Sequence, residues 1–315
     1  MNMKLLKKIF LLIALPLAVA VSVTSCNEDD NSVSLNTVDT LLSTTPNVSI
    51  FKAALAKTGL NSFSRGGGPF TYFVPSDDAF KASGINSAAD LNAIDNSLLT
   101  QVLAYHIMAG NRTLVEIPTG PNAPATAVTG LSFYASKNTT GAFINGAKII
   151  QADVRGSNGI IHVINQVMTP PFTNMMGSLQ ANTNFKLLVQ GINKAGLSGT
   201  FTGTAANTLF APTNAAMTAA GYDSTTIANL TGTPLTTFTN QLKYHLVAGR
   251  NFSSELKDGT MKTTLVISNV AQLITISNGG TKVKGATNAA PANITLANFL
   301  ASNGVIHTVD GFLKY

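Results

Sequence analysis

The side chains that could support acid–base or nucleophilic chemistry are few in this sequence of 315 residues. It has one cysteine, Cys26, and four histidines: His106, His162, His245 and His307. The histidines stand inside apolar runs such as Leu103–Ile107 and Ile160–Ile164, and no Gly-x-Ser-x-Gly or His-Glu-x-x-His motif is present. No pair of His or Cys residues has the spacing of metal ligands. We therefore predict a protein that is not an enzyme and needs no cofactor or metal.

Two other groups resemble catalytic or phosphate-binding motifs only superficially. Asp77 and Asp78 follow Ser76, which can cap a helix, and acidic residues in a first turn are favourable there. The run Arg65-Gly66-Gly67-Gly68-Pro69 lacks the Gly-Lys-Ser/Thr ending of a phosphate-binding loop and precedes a predicted strand. We interpret the first pair as helix capping and the glycine run as a turn.

Cys26 has the position of a lipid attachment site. Lys4, Lys7 and Lys8 precede an apolar run at 9–21, which is shorter than the roughly 20 residues that span a bilayer. The run 23–26, Val-Thr-Ser-Cys, resembles a bacterial lipobox. We predict a signal peptide at 1–25 and lipidation of Cys26, which would hold the chain on a membrane without a spanning helix. The alternative is an ordinary signal peptide with an incidental cysteine.

The charge pattern argues against nucleic acid as a partner. The net charge is +6, but three of these charges belong to the predicted signal peptide, which has no acidic residue, so +3 remains. Residues 26–35 follow as an acidic tether, with Glu28, Asp29 and Asp30. This cluster resembles the surface-export signal of lipoproteins in the Bacteroidota lineage. A plain solvated linker is the alternative.

The sequence contains a long internal repeat. The run 71–77, Thr-Tyr-Phe-Val-Pro-Ser-Asp, recurs 137 residues later as Thr-Leu-Phe-Ala-Pro-Thr-Asn at 208–214. Tyr105-His106 recurs after 139 residues, and the run 158–162, Asn-Gly-Ile-Ile-His, recurs after 145. Because the order is kept and each unit is large enough for its own core, we predict two domains, 36–173 and 174–315. The short Pro-rich join at 168–171 predicts a restricted mutual orientation.

Each repeat has the pattern of a mixed α and β domain. Helices are predicted at 48–60 and after Ser76 and Thr213, and a second buried helix or turn is predicted at 98–106 and 235–245. Strands are predicted at 70–74, 143–151, 160–167, 262–277 and 305–309, which are rich in Val, Ile and Thr. Residues 117–142 contain three prolines and several glycines, so we expect an extended loop or a ragged edge hairpin there.

Three ordered motifs, each found twice over about 280 residues, resemble those of the fasciclin-like domain. They are the blocks at 71–80 and 208–217, the Tyr-His pairs followed by Gly110 and Gly249, and the blocks at 158–167 and 303–312. The resemblance implies an α+β fold, with two tandem domains that are each a β-wedge of roughly seven strands with several helices. It also implies an extracellular family associated with adhesion and with matrix or cell-surface contact.

The resemblance also supplies candidate binding residues. In animal members the tyrosine–histidine pair contributes to cell-surface recognition, which would assign Tyr105, His106, Tyr244 and His245. An Asp followed by an aliphatic residue is a second recognition motif; it would assign Asp153, while the second repeat has Asn298 instead. From the residues alone we favour a different role for the histidines. Each ring would be partly buried and would donate to a backbone carbonyl.

These observations favour a surface-exposed outer-membrane lipoprotein that binds an extracellular protein or polysaccharide through its fasciclin-like domains. Two alternatives stay open: an accessory ligand- or glycan-binding component of an outer-membrane uptake system, and a structural protein of the envelope. The absence of Trp weighs against glycan binding, because aromatic rings commonly stack on sugars.

Overall fold

The computed structural model describes residues 35–118 and 120–315. The predicted signal peptide, Cys26 and residues 27–34 of the predicted tether lie outside the described residues. From Leu35 to Tyr315 the chain forms one compact unit. Within it, two successive segments each combine a seven-stranded sheet with helices, as the resemblance implied.

The helices begin and end at the short polar residues and glycines of the repeat. Ser76 and Thr213 accept hydrogen bonds from Ala79 N and Ala216 N and so cap equivalent helices, as predicted. Gly59 ends its helix in the left-handed conformation (φ 75°). The first segment contains α1 (Val38–Thr44), α2 (Ser49–Thr58), α3 (Asn61–Arg65), α4 (Asp77–Ala82) and α5 (Asn96–Tyr105). The second contains α6 (Met175–Ala181), α7 (Lys186–Lys194), α8 (Ser198–Thr202), α9 (Asn214–Ala219), α10 (Ser224–Asn229) and α11 (Gly232–Tyr244).

The central strands of each sheet are buried along nearly their whole length, as their apolar sequences require. Those of the first segment are β1 (Phe70–Pro75), β2 (Ile107–Ala109), β3 (Gly120–Thr126), β4 (Ser132–Asn138), β5 (Gly141–Ile144), β6 (Ala147–Gly156) and β7 (Gly159–Ile164). Those of the second are β8 (Asn207–Pro212), β9 (Leu246–Ala248), β10 (Gly259–Ile267), β11 (Val270–Ser277), β12 (Lys282–Lys284), β13 (Ala292–Ala301) and β14 (Gly304–Val309). Short 3₁₀ turns lie at Ala88–Ala93, Leu114–Glu116, Thr183–Phe185 and Ser253–Glu255.

The two sheets share their strand order but differ in closure. In each, a central parallel pair, β1 with β7 or β8 with β14, is flanked by antiparallel strands. The second sheet closes into a barrel because β9 pairs with β10 at Val247 and Thr263. The first sheet has the order β2-β1-β7-β6-β5-β4-β3 and ends at β2 and β3. Pro121 and Pro124 in β3 have no amide hydrogen to offer a neighbour, as expected of an edge strand.

Two strand predictions were wrong in the same way. The predicted strands 143–151 and 262–277 are each two strands joined by a two-residue turn, at Asn145-Gly146 and at Ser268-Asn269. All four turn residues have positive φ, between 49° and 77°, which is the backbone of the tight hairpin turn. The predicted ragged hairpin at 117–142 is present as β3 and β4.

Asp77 caps a different helix from the one that its sequence position suggested. Its carboxylate accepts hydrogen bonds from Ile50 N (2.8 Å) and Ser49 Oγ (2.8 Å), at the start of α2, where Val48 offers no side-chain cap. Asp77 therefore ties α4 to α2, besides lying in the first turn of α4.

We expect Asp77→Ala to lower the free energy of unfolding by about 1 kcal/mol, because α2 loses its only side-chain cap among the described residues. Asp78→Ala is the matched control. The Asp78 carboxylate is exposed, pairs with Lys81 at 3.3 Å and accepts from Asn47 Nδ2 (3.0 Å), but it bonds to no backbone amide of α2, so its loss should cost less than the loss of Asp77. Urea denaturation of both variants checks this, and equal losses would contradict the assignment.

Candidate functional site

The tyrosine–histidine pairs lie inside the two domains, at the end of α5 and of α11. The rings of Tyr105, His106, Tyr244 and His245 have no exposed surface. His106 Nδ1 lies 2.7 Å from Val102 O, and its Nε2 accepts a hydrogen bond from Met168 N (2.9 Å). Because Nε2 accepts, the neutral ring carries its proton on Nδ1 and donates to the Val102 carbonyl. The ring thus joins the end of α5 to the segment that follows β7.

His245 makes the same two bonds in the second domain. Its Nδ1 donates to Gln241 O (2.7 Å), and its Nε2 accepts from Leu313 N (2.9 Å). The preceding tyrosines are also committed to the interior. Tyr105 donates to Ser132 O (2.7 Å) and accepts from Asn145 Nδ2 (3.0 Å), while Tyr244 donates to Leu273 O and accepts from Ala286 N (2.9 Å). Each pair therefore connects a helix end to distant strands and turns.

The other two histidines lie at the centre of the parallel strands β7 and β14. His162 Nε2 donates to Arg112 O (2.7 Å), and His307 Nε2 donates to Asn251 O (2.8 Å). The His162 ring stacks on Phe73 and the His307 ring on Phe210, with centroids 5.7 and 5.5 Å apart. All four histidines thus donate to backbone carbonyls, as the sequence predicted, and all four are fully rather than partly buried.

Burial keeps the four rings neutral. It lowers the pKa of His106, His245 and His307 from 6.5 to about 4, against the smaller opposing effect of the carbonyl partner of each ring. Burial also lowers the pKa of His162, against smaller opposing effects of the Arg112 carbonyl and the Asp153 charge. A neutral ring with both nitrogens bonded is a structural connector at physiological pH.

Asp153 and its counterpart Asn298 lie at equivalent bulges, in β6 and β13. Both have left-handed backbone, with φ of 56° and 67°. Asp153 Oδ1 accepts from Leu114 N (2.8 Å), and Asn298 Oδ1 accepts from Ser253 N (2.7 Å). The amide oxygen of Asn298 makes the bond that the carboxylate of Asp153 makes, so this bond needs no charge. Asp153 is half-buried, and it is the one predicted binding residue of the described chain with exposed surface.

The asparagines that begin the last repeated motif have a role that the sequence analysis missed. Asn158 accepts from Val38 N (2.8 Å) and donates to Ser64 O (2.9 Å), which joins the start of α1 to α3. Asn303 repeats this with Met175 N (2.7 Å) and Phe201 O (3.0 Å). The recurrence of Asn-Gly in both repeats was the available signal.

The two domains pack against each other through apolar, polar and aromatic contacts, and Leu300 and Val305 belong to the same buried cluster as residues of the first domain. Gln166 Nε2 donates to Ala297 O (3.0 Å), and Asn138 Nδ2 donates to Ser254 O (2.9 Å). The Arg250 guanidinium lies 4.8 Å from the centre of the Tyr134 ring, an arrangement that favours a cation. These contacts agree with the restricted orientation predicted from the short join.

Gly146 allows the closest approach at this junction. A Cβ on Gly146 would lie 2.5 Å from Cγ of Asn298 in the other domain, and its φ is 77°. We expect Gly146→Ala to destabilise the protein by more than Gly130→Ala. Gly130 has nearly the same backbone (φ 80°) but nothing within 4 Å of the added methyl. Gly130→Ala therefore measures only the cost of left-handed backbone, about 1–2 kcal/mol, without a clash. Thermal unfolding of both variants measures the difference, and equal shifts would mean that the junction tolerates the methyl group.

Within the described residues, exposed aliphatic side chains gather at the tip of the β10–β11 hairpin. Val266 and Val270 are 57% and 62% exposed, and Ile267 and Leu273 are 36% and 44% exposed. Both faces of the hairpin contribute, since Ile267 pairs with Val270 on one face and Val266 pairs with Ala271 on the other. We call these four residues the hairpin tip. Clustered apolar surface of this kind is typical of a contact site.

Among the described residues, no three His, Cys, Asp or Glu side chains are grouped so that they could hold a metal ion. No helix in the described part of the chain is long and apolar enough to cross a membrane.

Comparisons with known proteins agree with the doubled motifs. The family model described as "Fasciclin domain" matches residues 46–170 and 183–315. Protein sll1483 of Synechocystis is 38% identical over 105 residues, which are 33% of this chain and 57% of that protein. Transforming growth factor-beta-induced protein ig-h3 of Sus scrofa is 26% identical over 275 residues, which are 85% of this chain and 35% of that protein. The chain thus spans only part of these relatives.

Among solved structures, a FAS1 domain pair from the insect cell adhesion molecule Fasciclin I is similar, at 20% sequence identity and a TM-score of 0.41. The match covers 85% of this chain and 97% of that one. The family model matches most of the described residues, once in each seven-stranded domain. The chain therefore belongs to the fasciclin domain family and carries two copies of the domain in tandem.

Proposed function

We propose that this protein is a non-enzymatic binding protein of the cell surface, which contacts an extracellular protein through the hairpin tip of its second domain. The observation that carries this proposal is the cluster of four exposed aliphatic side chains at 266, 267, 270 and 273. Family membership supports it, since the resemblance implies proteins of adhesion and matrix contact. An aliphatic tip favours a protein over a polysaccharide, because it offers no aromatic ring on which a sugar could stack.

The buried position of the tyrosine–histidine pairs also supports recognition on the outer surface. Their polar atoms bond to backbone groups of their own domain, and their rings have no exposed surface. A partner could reach them only by opening the domain. We therefore propose that these four residues hold the domain together and that recognition lies on the outer surface.

A pull-down against extracellular matrix proteins and purified polysaccharides tests the proposal. The double variant Val266→Ser with Val270→Ser should lose at least about tenfold in affinity for the captured protein, since apolar anchors dominate most contact sites. Val115→Ser is the matched control: Val115 is 83% exposed in the first domain and lies outside the tip. Failure to capture any panel member, or equal binding by both variants, would overturn the assignment.

We further propose that acylated Cys26 holds the protein on the outer membrane, with the domains outside the cell. The support is the lipobox-like run before Cys26 and the acidic run after it. Metabolic labelling with an alkyne fatty acid should label the chain, and Cys26→Ala should remove the label and release the protein from the membrane fraction. A labelled Cys26→Ala variant would place the acyl group elsewhere.

A further inference from the structure

The first domain has a cavity at the place where its sheet fails to close. The cavity measures about 400 Å³ and lies between the edge strands β2 and β3. A hydrogen bond from Val128 N to Ile107 O (2.8 Å) joins the chain beyond β3 to the start of β2. From there the cavity separates the two strands, with Met108 and Ala109 on one side and the run 123–126 on the other.

The second domain shows which side chains occupy the equivalent space when the sheet closes into a barrel. Tyr105 bonds Ser132 O and Tyr244 bonds Leu273 O, so β4 and β11 can be aligned residue by residue. In this alignment Ala135 corresponds to Ile276, and the strand pairing then makes Ala125 the counterpart of Met261. Ile276 is buried in the core of the closed barrel, and Met261 packs against that core.

Small residues therefore leave the space open in the first domain. Ala135 and Ala125 both line the cavity, where their larger counterparts fill the second barrel. Phe133 is larger than its counterpart Ile274, but its ring packs edge-on against Phe73 at 5.4 Å. An apolar space that the protein leaves unfilled costs stability, unless a ligand restores the lost contacts.

The lining determines the chemistry of a ligand. The inner wall is largely apolar, with Phe73, Phe133, Ile117 and Ile144, and it includes the His162 ring. The volume lies in the range of small-molecule sites, about 300–1,000 Å³. Glu116 lines the cavity as well, and so does Arg112, whose side chain is 58% exposed. Its Nη1 lies 3.9 Å from Glu116 Oε1, a loose pair, while Glu116 Oε2 accepts from Thr113 N (2.6 Å).

We propose that this cavity binds a small apolar carboxylic acid of the fatty-acid type. The hydrocarbon part lies against Phe73, Phe133 and Ile144 within the open barrel. The carboxylate pairs with the guanidinium of Arg112, which can offer two parallel N–H donors. The site goes beyond the proposed function, since it lies in the first domain and does not involve the hairpin tip.

Calorimetric titration of the whole chain tests the site, with Cys26→Ser so that no acyl group of the protein itself competes. The probes are straight-chain monocarboxylates of six to sixteen carbons and the alcohols of the same lengths. We expect one acid to bind per chain and to bind at least about tenfold more tightly than its alcohol. Arg112→Gln should remove this difference. Binding of no probe, or equal binding of acid and alcohol, would overturn the proposal.

The second domain supplies the residues for a blocking variant. Ala125→Met with Ala135→Ile fills the cavity as the second barrel is filled, so it should abolish binding and raise the melting temperature. Ser132→Ile, on the exposed part of β4, is the matched control and should bind normally. If the double variant does not fold, Ala123→Leu narrows the cavity from β3 and should weaken binding. Unchanged binding in a folded blocking variant would contradict the site, while binding to the hairpin tip would be unaffected.

Discussion

Lowering the pH from 7 to 4 is expected to unfold both domains, because each contains two buried neutral histidines. The folded-state pKa of His106, His245 and His307 is about 4, against 6.5 for an exposed ring. Between these values the unfolded chain takes up protons that the folded chain cannot hold. The stability that the rings contribute is therefore complete above pH 6.5 and is lost as the pH falls towards 4. Each ring accounts for about 3 kcal/mol at most.

Summed over the three rings, this contribution is comparable with the free energy of unfolding of a typical domain, roughly 5–15 kcal/mol. His162 acts in the same direction, since burial lowers its pKa too. Glu255 has the opposite effect on stability as the pH falls. Burial raises the pKa of its carboxyl, so the folded chain takes up this proton more readily than the unfolded chain does. Urea denaturation followed by circular dichroism at half-unit steps from pH 7.5 to 4.5 measures the effect. A free energy of unfolding that stays constant over this range would show that the rings are accessible to protons in the folded state.

Replacing His106 by Leu is expected to cost about 2–6 kcal/mol at pH 7, the second largest effect that the structure predicts. Leu keeps most of the volume but offers no partner to the Val102 carbonyl or to the Met168 amide. Both groups would then be buried without a hydrogen bond, and each costs about 1–3 kcal/mol. The end of α5 would also lose its connection to the segment after β7.

The pH dependence of this variant separates a specific role from general damage. His106→Leu removes one of four titrating rings, so the slope of stability against pH below 6.5 should fall by about one proton. Gln101→Leu, on the exposed side of the same helix, is the control and should change stability by less than about 0.5 kcal/mol. A small loss for His106→Leu, or an unchanged slope, would contradict the assigned hydrogen bonds.

Much of this fold could be predicted because local signals and tertiary structure agree. Ser76 and Thr213 lie at matching positions in the repeat and cap matching helices, and Gly59 ends α2 where only a left-handed residue fits. The doubled motifs then identified the fold class. The hairpin at Asn145-Gly146 could also have been predicted, because this dipeptide favours the tight turn. The apolar residues on both sides of it instead favoured one continuous strand.

The features that matter for binding depend on contacts that the sequence does not display. The sequence favoured an interior position for His106, but it could not show that Tyr105 bonds to Ser132 and His106 to Met168. The open barrel follows from Ala125 and Ala135, and these are unremarkable residues until strand pairing aligns them with Met261 and Ile276. Register between distant strands, rather than local propensity, determines both features.

The central claim is that two fasciclin domains are held outside the cell, where their surface can meet an extracellular partner. Protease treatment of intact cells that make this chain tests it most directly, with a periplasmic protein as the control for leakage. The account predicts that the domains are digested on intact cells while the periplasmic control survives. Survival of the domains until the outer membrane is permeabilised would contradict it, and contact with an extracellular partner would then be untenable.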